Sequence, residues 1–352
     1  MQVSIIIVSY NAEHHLQLCL ESCLAAIKSI DAEVIVVDNH SLDQVVDKLQ
    51  PLFPTVKFYG LNENLGFSKA NNYGVEKAKG EYVLILNPDT IIPENIFEKL
   101  LPFIQQNEKI GMIGPRLIDM NGKFHPESKR NLPTPRNSFS KLFKIGNTST
   151  NSYYKEDVKE TEVAPVSILV GAFMFLKRST YQTIGGFDPR YFMYGEDIDF
   201  SYSSELSGFI NYYKGDCTVI HFKGESTKKD KKYFKIFFDA MLLFVEKYYN
   251  QKPYQLMVMK AGITCKYLLE LLKFQVKGKE VNEIRVQKNE LFWLNKSSEL
   301  LGEKKKHIVL STGKFTFQEI LEIIAQNNSS HISFYIHSHL SGKIIGSEGL
   351  IL

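Results

Sequence analysis

Three carboxylates stand within four residues at Glu196-Asp197-Ile198-Asp199. Aromatic residues flank them, Tyr191, Phe192 and Tyr194 before and Phe200 after, and Gly185-Gly186-Phe187-Asp188-Pro189 lies just upstream. At that spacing the charges repel one another. A fold keeps such a cluster where it binds a cation, receives a proton or caps a helix. An acidic helix start is the plain alternative, but aromatic and glycine-rich flanks suit an apolar-walled pocket better than a solvated face. Cation binding and proton transfer by Glu196, Asp197 or Asp199 both stay open at this point.

Four further segments could bind a polar ligand: Ser9-Tyr10-Asn11, Asp38-Asn39-His40-Ser41, Asn64-Leu65-Gly66-Phe67 with Asn71 beyond it, and Asn87-Pro88-Asp89-Thr90. Carboxylates and amides of this kind can read a nucleobase edge and ribose hydroxyls. Helix capping by Asn11 and Ser41 is the competing reading of the first two. Gly66 permits a tight turn or close backbone approach to a ligand, and Asn64 could equally be a turn residue. Asp89, just past an apolar run and bracketed by Pro88 and Pro93, is suited to a divalent ion beside a diphosphate. His221 ends another apolar run; a lone histidine is usually structural, yet neutral imidazole is a common metal ligand.

The elements that must position these residues alternate. Short β-branched runs at 3–8, 33–37, 56–59 and 82–86 predict strands, and 12–28, 67–79 and 93–105 predict helices. Each of the four ligand segments then follows a strand or opens a helix, the end at which open α/β sheets bind ligands. The order implies a mainly parallel central sheet flanked by helices. Residues 119–160 are polar and weakly periodic and read as a long excursion over the active-site face. The apolar run 163–176 follows, then helices from about 178 and over 197–206, and strands near 209–213 and 217–222. From Lys228 to Phe274 the pattern is amphipathic helix broken near Pro253, and 275–305 reads as a linker or loosely packed helix. Residues 306–352 resume a β-α-β rhythm. The division expected is 1–227 as the catalytic unit, 228–300 as an amphipathic helical region and linker, and 301–352 as a small appended α/β unit of unknown role that ends as if cut short.

A net charge of +3 over 352 residues excludes a general electrostatic match to nucleic acid. The four cysteines contain no CxxC pair, and Cys19 and Cys23, four apart on a helix, read as reduced core residues of a cytosolic protein. No basic, small-residue leader pattern precedes the first strand. The uncharged run 163–176 is shorter than the ~20 apolar residues a spanning helix needs, so membrane contact should be peripheral, at the inner face of the cell membrane. Lysines at 228–235 leading into Ile236-Phe237-Phe238, followed by a second apolar helix, leave two readings open: a surface helix pair on an anionic leaflet, or helices packed on the sheet.

Taken in order, SIIIVSYN, VIVVDNHSLD, NLGFSKANN, LILNPDT, VGAFMFLKRSTYQTIGGFD and YFMYGEDIDF, with HFKGES beyond, resemble glycosyltransferase family 2 and its rhamnosyltransferase-like group over roughly residues 1–225. The resemblance implies a GT-A fold and inversion at the anomeric carbon. It implies a nucleotide-sugar site including Ser9, Tyr10, Asn11, Asp38, Asn39, Asn64, Gly66, Asn71, Asn87 and Asp89, with Asp38 at the base. It also implies Asp197 as general base and a divalent cation, Mg2+ or Mn2+, held by Asp89 and His221. The donor so implied is dTDP-rhamnose, with UDP-hexoses as the alternative, and the acceptor a hydroxyl of a cell-surface or lipid-linked glycan. The chain departs from the family at Asn87, where the first carboxylate of an Asp-x-Asp usually stands, and at Ser203, where an Arg is frequent; Arg130 or Lys129 could supply the missing cation.

Two enzyme classes fall away. A dinucleotide-dependent oxidoreductase needs a glycine-rich turn after the first strand, and Ser9-Tyr10-Asn11-Ala12-Glu13 has none. A sugar nucleotidyltransferase should carry a glycine-rich basic N-terminal loop, also missing. A non-catalytic glycan-binding protein is the remaining rival and would not need Asp197.

Overall fold

The computed structural model describes residues 1–133, 153–223, 230–276, 291–296, 307–328, 332–346 and 349–350. The tail of the HFKGES segment, Lys228 and Lys229, the middle of the 119–160 excursion and most of the 275–305 linker lie outside the described residues.

Alternation of strand and helix holds through the first half: β1 (Val3–Ser9), α1 (Glu13–Ala26), β2 (Ala32–Asp38), α2 (Val45–Leu49), β3 (Lys57–Gly60), α3 (Gly66–Lys77), β4 (Tyr82–Leu86), β5 (Thr90–Ile91), α4 (Ile96–Ile104) and β6 (Ile110–Ile118). There follow β7 (Val163–Pro165), β8 (Phe173–Lys177), α5 (Arg178–Ile184), α6 (Glu196–Leu206) and β9 (Ile210–His221). Nine strands form one mixed sheet in the order β3-β2-β1-β4-β8-β6-β9-β5, with β7 beside β9. β1, β2, β3 and β4 run parallel, as do β6 and β9, whereas β8 is antiparallel to β4 and β6.

The strands buried on both faces read as continuous β-branched runs, as expected of a parallel sheet covered on each side. β1 buries all seven residues. Ile5 and Ile7 face one apolar cluster with Leu16, Cys19 and Cys23 of α1; Ile6 and Val8 face the other with Ala70 and Val75 of α3. All four cysteines are free, and Cys19 and Cys23 share the buried face of α1 as the four-residue spacing predicts.

Two expectations need correction. The strands anticipated near 209–213 and 217–222 are one strand, β9, whose pairing with β6 shifts register between Pro115 and Arg116. That irregularity lets Gly215 lie against the backbone of Glu160 and Glu162, where a Cβ would not fit. Asn11 and Ser41 cap no helix: α1 and α2 have Ala12 and Gln44 at their N-caps, with no side-chain cap bond.

Two additions complete the chain. Helices α7 (Lys231–Tyr249) and α8 (Pro253–Val276) form a hairpin, broken where Pro253 starts the second helix. A second sheet contains β10 (Phe292–Trp293), β11 (His307–Ser311), β12 (Ser333–His337), β13 (Ile344–Gly346) and β14 (Gly349–Leu350), with α9 (Phe317–Gln326) between β11 and β12. Ile308, Leu310, Ile320, Ile324 and Ile336 pack against Leu18, Ile91, Ile118 and Ile220 in one apolar cluster. Glu94 fastens this contact: its two carboxylate oxygens accept the backbone N–H groups of Phe317 and Gln318 at 2.8 and 2.7 Å. Replacing Glu94 by Ala leaves two N-terminal donors of α9 without their anion and should cost about 1–2 kcal/mol, read as a lower urea midpoint in equilibrium unfolding.

Candidate active site

Register brings the ligand segments to one sheet edge. Ser9 is level with Asp38, Asp38 with Gly60, and Ile7 with Leu86, so the turns after β1, β2 and β4 leave the sheet side by side. β8 starts at that edge: Asn87 donates its N–H to the Ala172 carbonyl at 3.0 Å. β9 ends there, with His221 opposite Thr90.

Side chains cross-link these turns. Asn11, at φ 51°, takes the left-handed conformation that Asn tolerates. It accepts from the Leu42 N–H at 2.8 Å, while its own N–H donates to Ser41 Oγ at 3.0 Å. Asn39 donates to Asn64 Oδ1 at 2.9 Å and accepts from the Leu65 N–H at 2.8 Å. Gly66, at φ 81°, lies against the Phe192 backbone, where any Cβ would collide; Phe67 N–H donates to Phe192 O at 2.6 Å. That contact ties the third ligand segment to the aromatic flank of the acidic cluster. Asp38 is nine-tenths buried, and burial pushes its carboxyl up despite the Ser41 contacts. Tyr10 is exposed at the rim, Asn71 is buried and donates to Phe67 O at 2.9 Å.

Several buried polar atoms at this edge have no hydrogen-bond partner among the described residues: Ser9 Oγ, Asn71 Oδ1, Asn87 Oδ1 and Glu196 Oε2. An unsatisfied buried polar group costs about 1–3 kcal/mol, and several of them near the strand ends mark a place where a polar ligand would be stabilising.

Asp89 and His221 meet: His221 Nε2 is 3.4 Å from Asp89 Oδ1, and both side chains are buried. Burial pushes the Asp89 carboxyl up, but the adjoining His221 imidazole, His15 and a backbone hydrogen bond together hold the group below its ordinary value. The His125 ring packs edge-on to His221, and burial together with His221 lowers its pKa to about 4. Among the described residues no group of three or more His, Cys, Asp or Glu side chains is arranged to hold a metal ion.

The acidic cluster separates into three environments. Gly195, at φ 76°, turns the chain into α6. Asp197 follows and is gripped by Arg130, whose Nη2 lies 2.6 Å from Asp197 Oδ2 and also donates to Leu169 O at 2.6 Å. The Gly171 N–H donates to the same Oδ2 at 3.3 Å, while Oδ1 accepts from the Ile198 N–H at 2.8 Å. Asp199 faces away, accepting from Lys247 at 2.9 Å and Tyr248 at 2.8 Å on α7. Glu196 is buried, and burial, with Asp197 next to it, pushes its carboxyl up to about 8.

Sequence reasoning named Arg130 only as a possible substitute for a cation missing at Ser203; its partner is Asp197 itself. Arg130 is held by a two-way backbone bridge to Ile168 and is 5% exposed. Lys129 instead donates to Lys155 O at 2.7 Å. Gly171 lies inside the VGAFMFLK segment with nothing in the sequence to mark its N–H as a donor to Asp197, and Lys247 carries no spacing signal.

The family model described as Glycosyl transferase family 2 matches residues 4–185, more than half of the chain. The chain belongs to glycosyl transferase family 2. It is a glycosyltransferase with a GT-A fold, and its relatives include rhamnosyltransferases. It is 27% identical over 240 residues to the N-acetylglucosaminyl-diphospho-decaprenol L-rhamnosyltransferase of Mycobacterium tuberculosis, covering 64% of this chain and 78% of that one. It is 29% identical over 227 residues to the rhamnosyltransferase WbbL of Escherichia coli, covering 62% and 83%. Among solved structures it superposes on S. aureus TarS in complex with UDP-GlcNAc with TM-score 0.50 and 19% identity over 79% of this chain and 76% of that one. GalNAc-T7 with UDP, GalNAc and Mn2+ gives TM-score 0.51 and 16% identity over 78% and 57%. These two likenesses concern the fold.

Glu196 makes the transferase's stability depend on pH. Its folded pKa lies above the unfolded value of about 4.3, so the folded state keeps a proton that the unfolded chain releases. That contribution is fully present below about pH 4.3 and is lost as pH rises through about 8. Glu196→Gln, which cannot ionise, should flatten the fall of the thermal midpoint between pH 5 and pH 8 relative to wild type; an unchanged slope would place the ionisation elsewhere.

Proposed function

We propose that this transferase moves a sugar from a nucleoside-diphosphate donor to a hydroxyl of a cell-surface or lipid-linked glycan, with inversion at the anomeric carbon and Asp197 as general base. The observation that carries this reading is the fixed Asp197 carboxylate beside the sheet edge where the ligand segments converge. Arg130 and the Gly171 N–H occupy Oδ2, and Oδ1 has a single backbone donor. A carboxylate oxygen has room for a second donor, so Oδ1 is the oxygen that accepts the acceptor's proton.

The acceptor oxygen forms its bond to the anomeric carbon as the bond from that carbon to the diphosphate oxygen breaks. The hydroxyl proton passes to Asp197, and the electron pair leaves with the nucleoside diphosphate. A hydroxyl is a poor nucleophile at neutral pH, and a carboxylate within hydrogen-bond reach assists its deprotonation. Arg130 acts as a positioning residue: with the Gly171 N–H it holds Oδ2 and stops the carboxylate from rotating. Ser9, Tyr10, Asn11, Asp38, Asn39, Asn64, Gly66 and Asn71 form the nucleotide-sugar side, with Asp38 at the base.

One carboxylate oxygen and one imidazole nitrogen, from Asp89 and His221, suit Mg2+ or Mn2+, the imidazole favouring the transition metal. A cation there would stabilise charge developing on the leaving diphosphate. Asn87 offers a neutral oxygen in place of a second carboxylate, which lowers the charge available to hold the ion.

The rhamnosyltransferase relatives favour dTDP-rhamnose as donor. The first of them is named for a lipid-diphosphate-linked acceptor. That favours a lipid-linked glycan at the inner membrane face here, with the chain as a peripheral visitor; among the described residues no helix is long and apolar enough to cross a membrane.

Two measurements test this reading. Asp197→Asn should preserve the circular dichroism spectrum and donor binding while cutting transfer by about 10²-fold or more; near-wild-type turnover would remove Asp197 from the role. Asp89→Ala should weaken nucleoside-diphosphate binding in calorimetry, and excess EDTA should suppress transfer, with Mn2+ restoring it. Full activity in EDTA would leave Asp89 as a donor-orienting residue without a metal.

A further inference from the structure

The hairpin of α7 and α8 answers unevenly to the two readings of its sequence. α7 is docked: Lys247 bridges Asp188 and Asp199 at 3.0 and 2.9 Å, and Tyr202 of α6 packs on Phe244 and Tyr248. α8 packs its inner side on α7 through Leu256, Met259, Ile263 and Tyr267. Among the described residues nothing covers its outer side. Tyr254, Met257, Val258, Leu268, Leu269 and Leu272 are between 41% and 75% exposed.

Those positions recur at three- and four-residue steps and so lie along one face. Between them the exposed positions are Gln255, Ala261, Thr264 and Cys265, all uncharged. The stripe runs through 19 residues from Tyr254 to Leu272, about 28 Å at 1.5 Å per residue. A helix apolar on both sides is ordinarily covered on both sides, and a continuous exposed apolar strip of this length marks an interaction surface.

Charge decides the occupant. Residues 231–276 carry eight lysines against Asp239, Glu246 and Glu270, although the whole chain is only +3. Each acid is already engaged, Asp239 with Lys235, Glu246 with Lys260, and Glu270 with Lys266 and Lys273. Lys231, Lys232, Lys252 and Lys273 are exposed near the ends of the hairpin. A second copy laid against this face would bring lysines toward lysines with no free acid on either hairpin to pair them. A layer of anionic headgroups complements them, while the acyl region takes the leucines and lysine stems reach outward.

We propose that the outer face of α8 docks the transferase on an anionic membrane surface. The link to catalysis rests on the functional reading above: the hairpin's apolar cluster includes Ile198, the residue after Asp197, so a lipid-linked acceptor would arrive beside the base.

The test uses the full chain and co-sedimentation with phosphatidylcholine vesicles, with and without phosphatidylglycerol, at low and moderate salt. Wild type should pellet with the phosphatidylglycerol vesicles, less so at higher salt. The double variant Leu268→Glu/Leu272→Glu should lose about 10²-fold or more in partitioning, since each buried leucine contributes roughly 1.5–3 kcal/mol, with its circular dichroism and donor hydrolysis unchanged. Wild type in the supernatant at both salt concentrations, binding indifferent to phosphatidylglycerol, or binding indifferent to the double variant would overturn the proposal. So would light scattering that shows a dimer which the double variant dissociates, since a second copy would then cover the face. Vesicle binding is read without turnover, so a failure of the transferase reading would show separately, as absent transfer by a chain that still pellets.

Discussion

The ion pair between Arg130 and Asp197 is the constraint around which the catalytic end is built. A guanidinium that is only 5% exposed is tolerated where a carboxylate and good hydrogen bonds replace its water. Three elements have to comply. The segment after β6 must fold back so that Arg130 bridges Ile168 in both directions. The turn before β8 is tight at Gly171, where a Cβ would lie 3.3 Å from the Cβ of Asp197 and push it by a few tenths of an ångström. α6 must begin one residue before Asp197, on the left-handed Gly195. Each is a local demand whose reason lies 26 or more residues away in the chain.

The same pair explains why two adjacent carboxylates behave so differently. Asp197 has a cation and two backbone donors, whereas Glu196 is buried beside that charge with one oxygen lacking a partner. Opposed environments on neighbouring acids are a usual physical means by which a fold separates the roles of two carboxylates. The unsatisfied oxygens of Ser9, Asn71 and Asn87 lie in the same region: their cost falls on the free protein and would be relieved by hydrogen-bond donors of a polar ligand.

Where the sequence was legible, the physics was local. β1, β2 and β4 announce themselves because a strand covered on both faces must be apolar throughout, and the parallel order then puts Ser9, Asp38 and Asn87-Pro88-Asp89 on one edge. β6 escaped because Gly111, Gly114 and Pro115 interrupt its nine residues; pairing on both sides with β8 and β9 overrides their poor strand propensity. Asn11 and Ser41 have the composition of helix caps, yet they bond across 31 and 30 positions to each other's loops, a choice no single-sequence pattern can express. Arg130 was visible as a cation in need of a partner, but the partner was not, because 67 residues separate the two.

The appended sheet bears on the same site through α1. Lys343, in the turn between β12 and β13, lies 2.9 Å from Glu13, which also takes Lys48 at 2.5 Å. Ser338 joins Gln17 and Glu21 on the next turns of the helix. Glu13 receives Lys48 and donates its own N–H to Asp43 at 3.2 Å, so the start of α1, the loop holding Asn11 and the loop holding Ser41 are tied to one another. With Leu18 and Ile91 sunk into the cluster under β11 and α9, the late sheet supports the turns after β1 and β4 from beneath. The turns after β1 and β4 are thus braced by residues far downstream, while α7, docked on α6 through Lys247 and Tyr248, braces the acidic side, two supports that the first half of the chain does not contain.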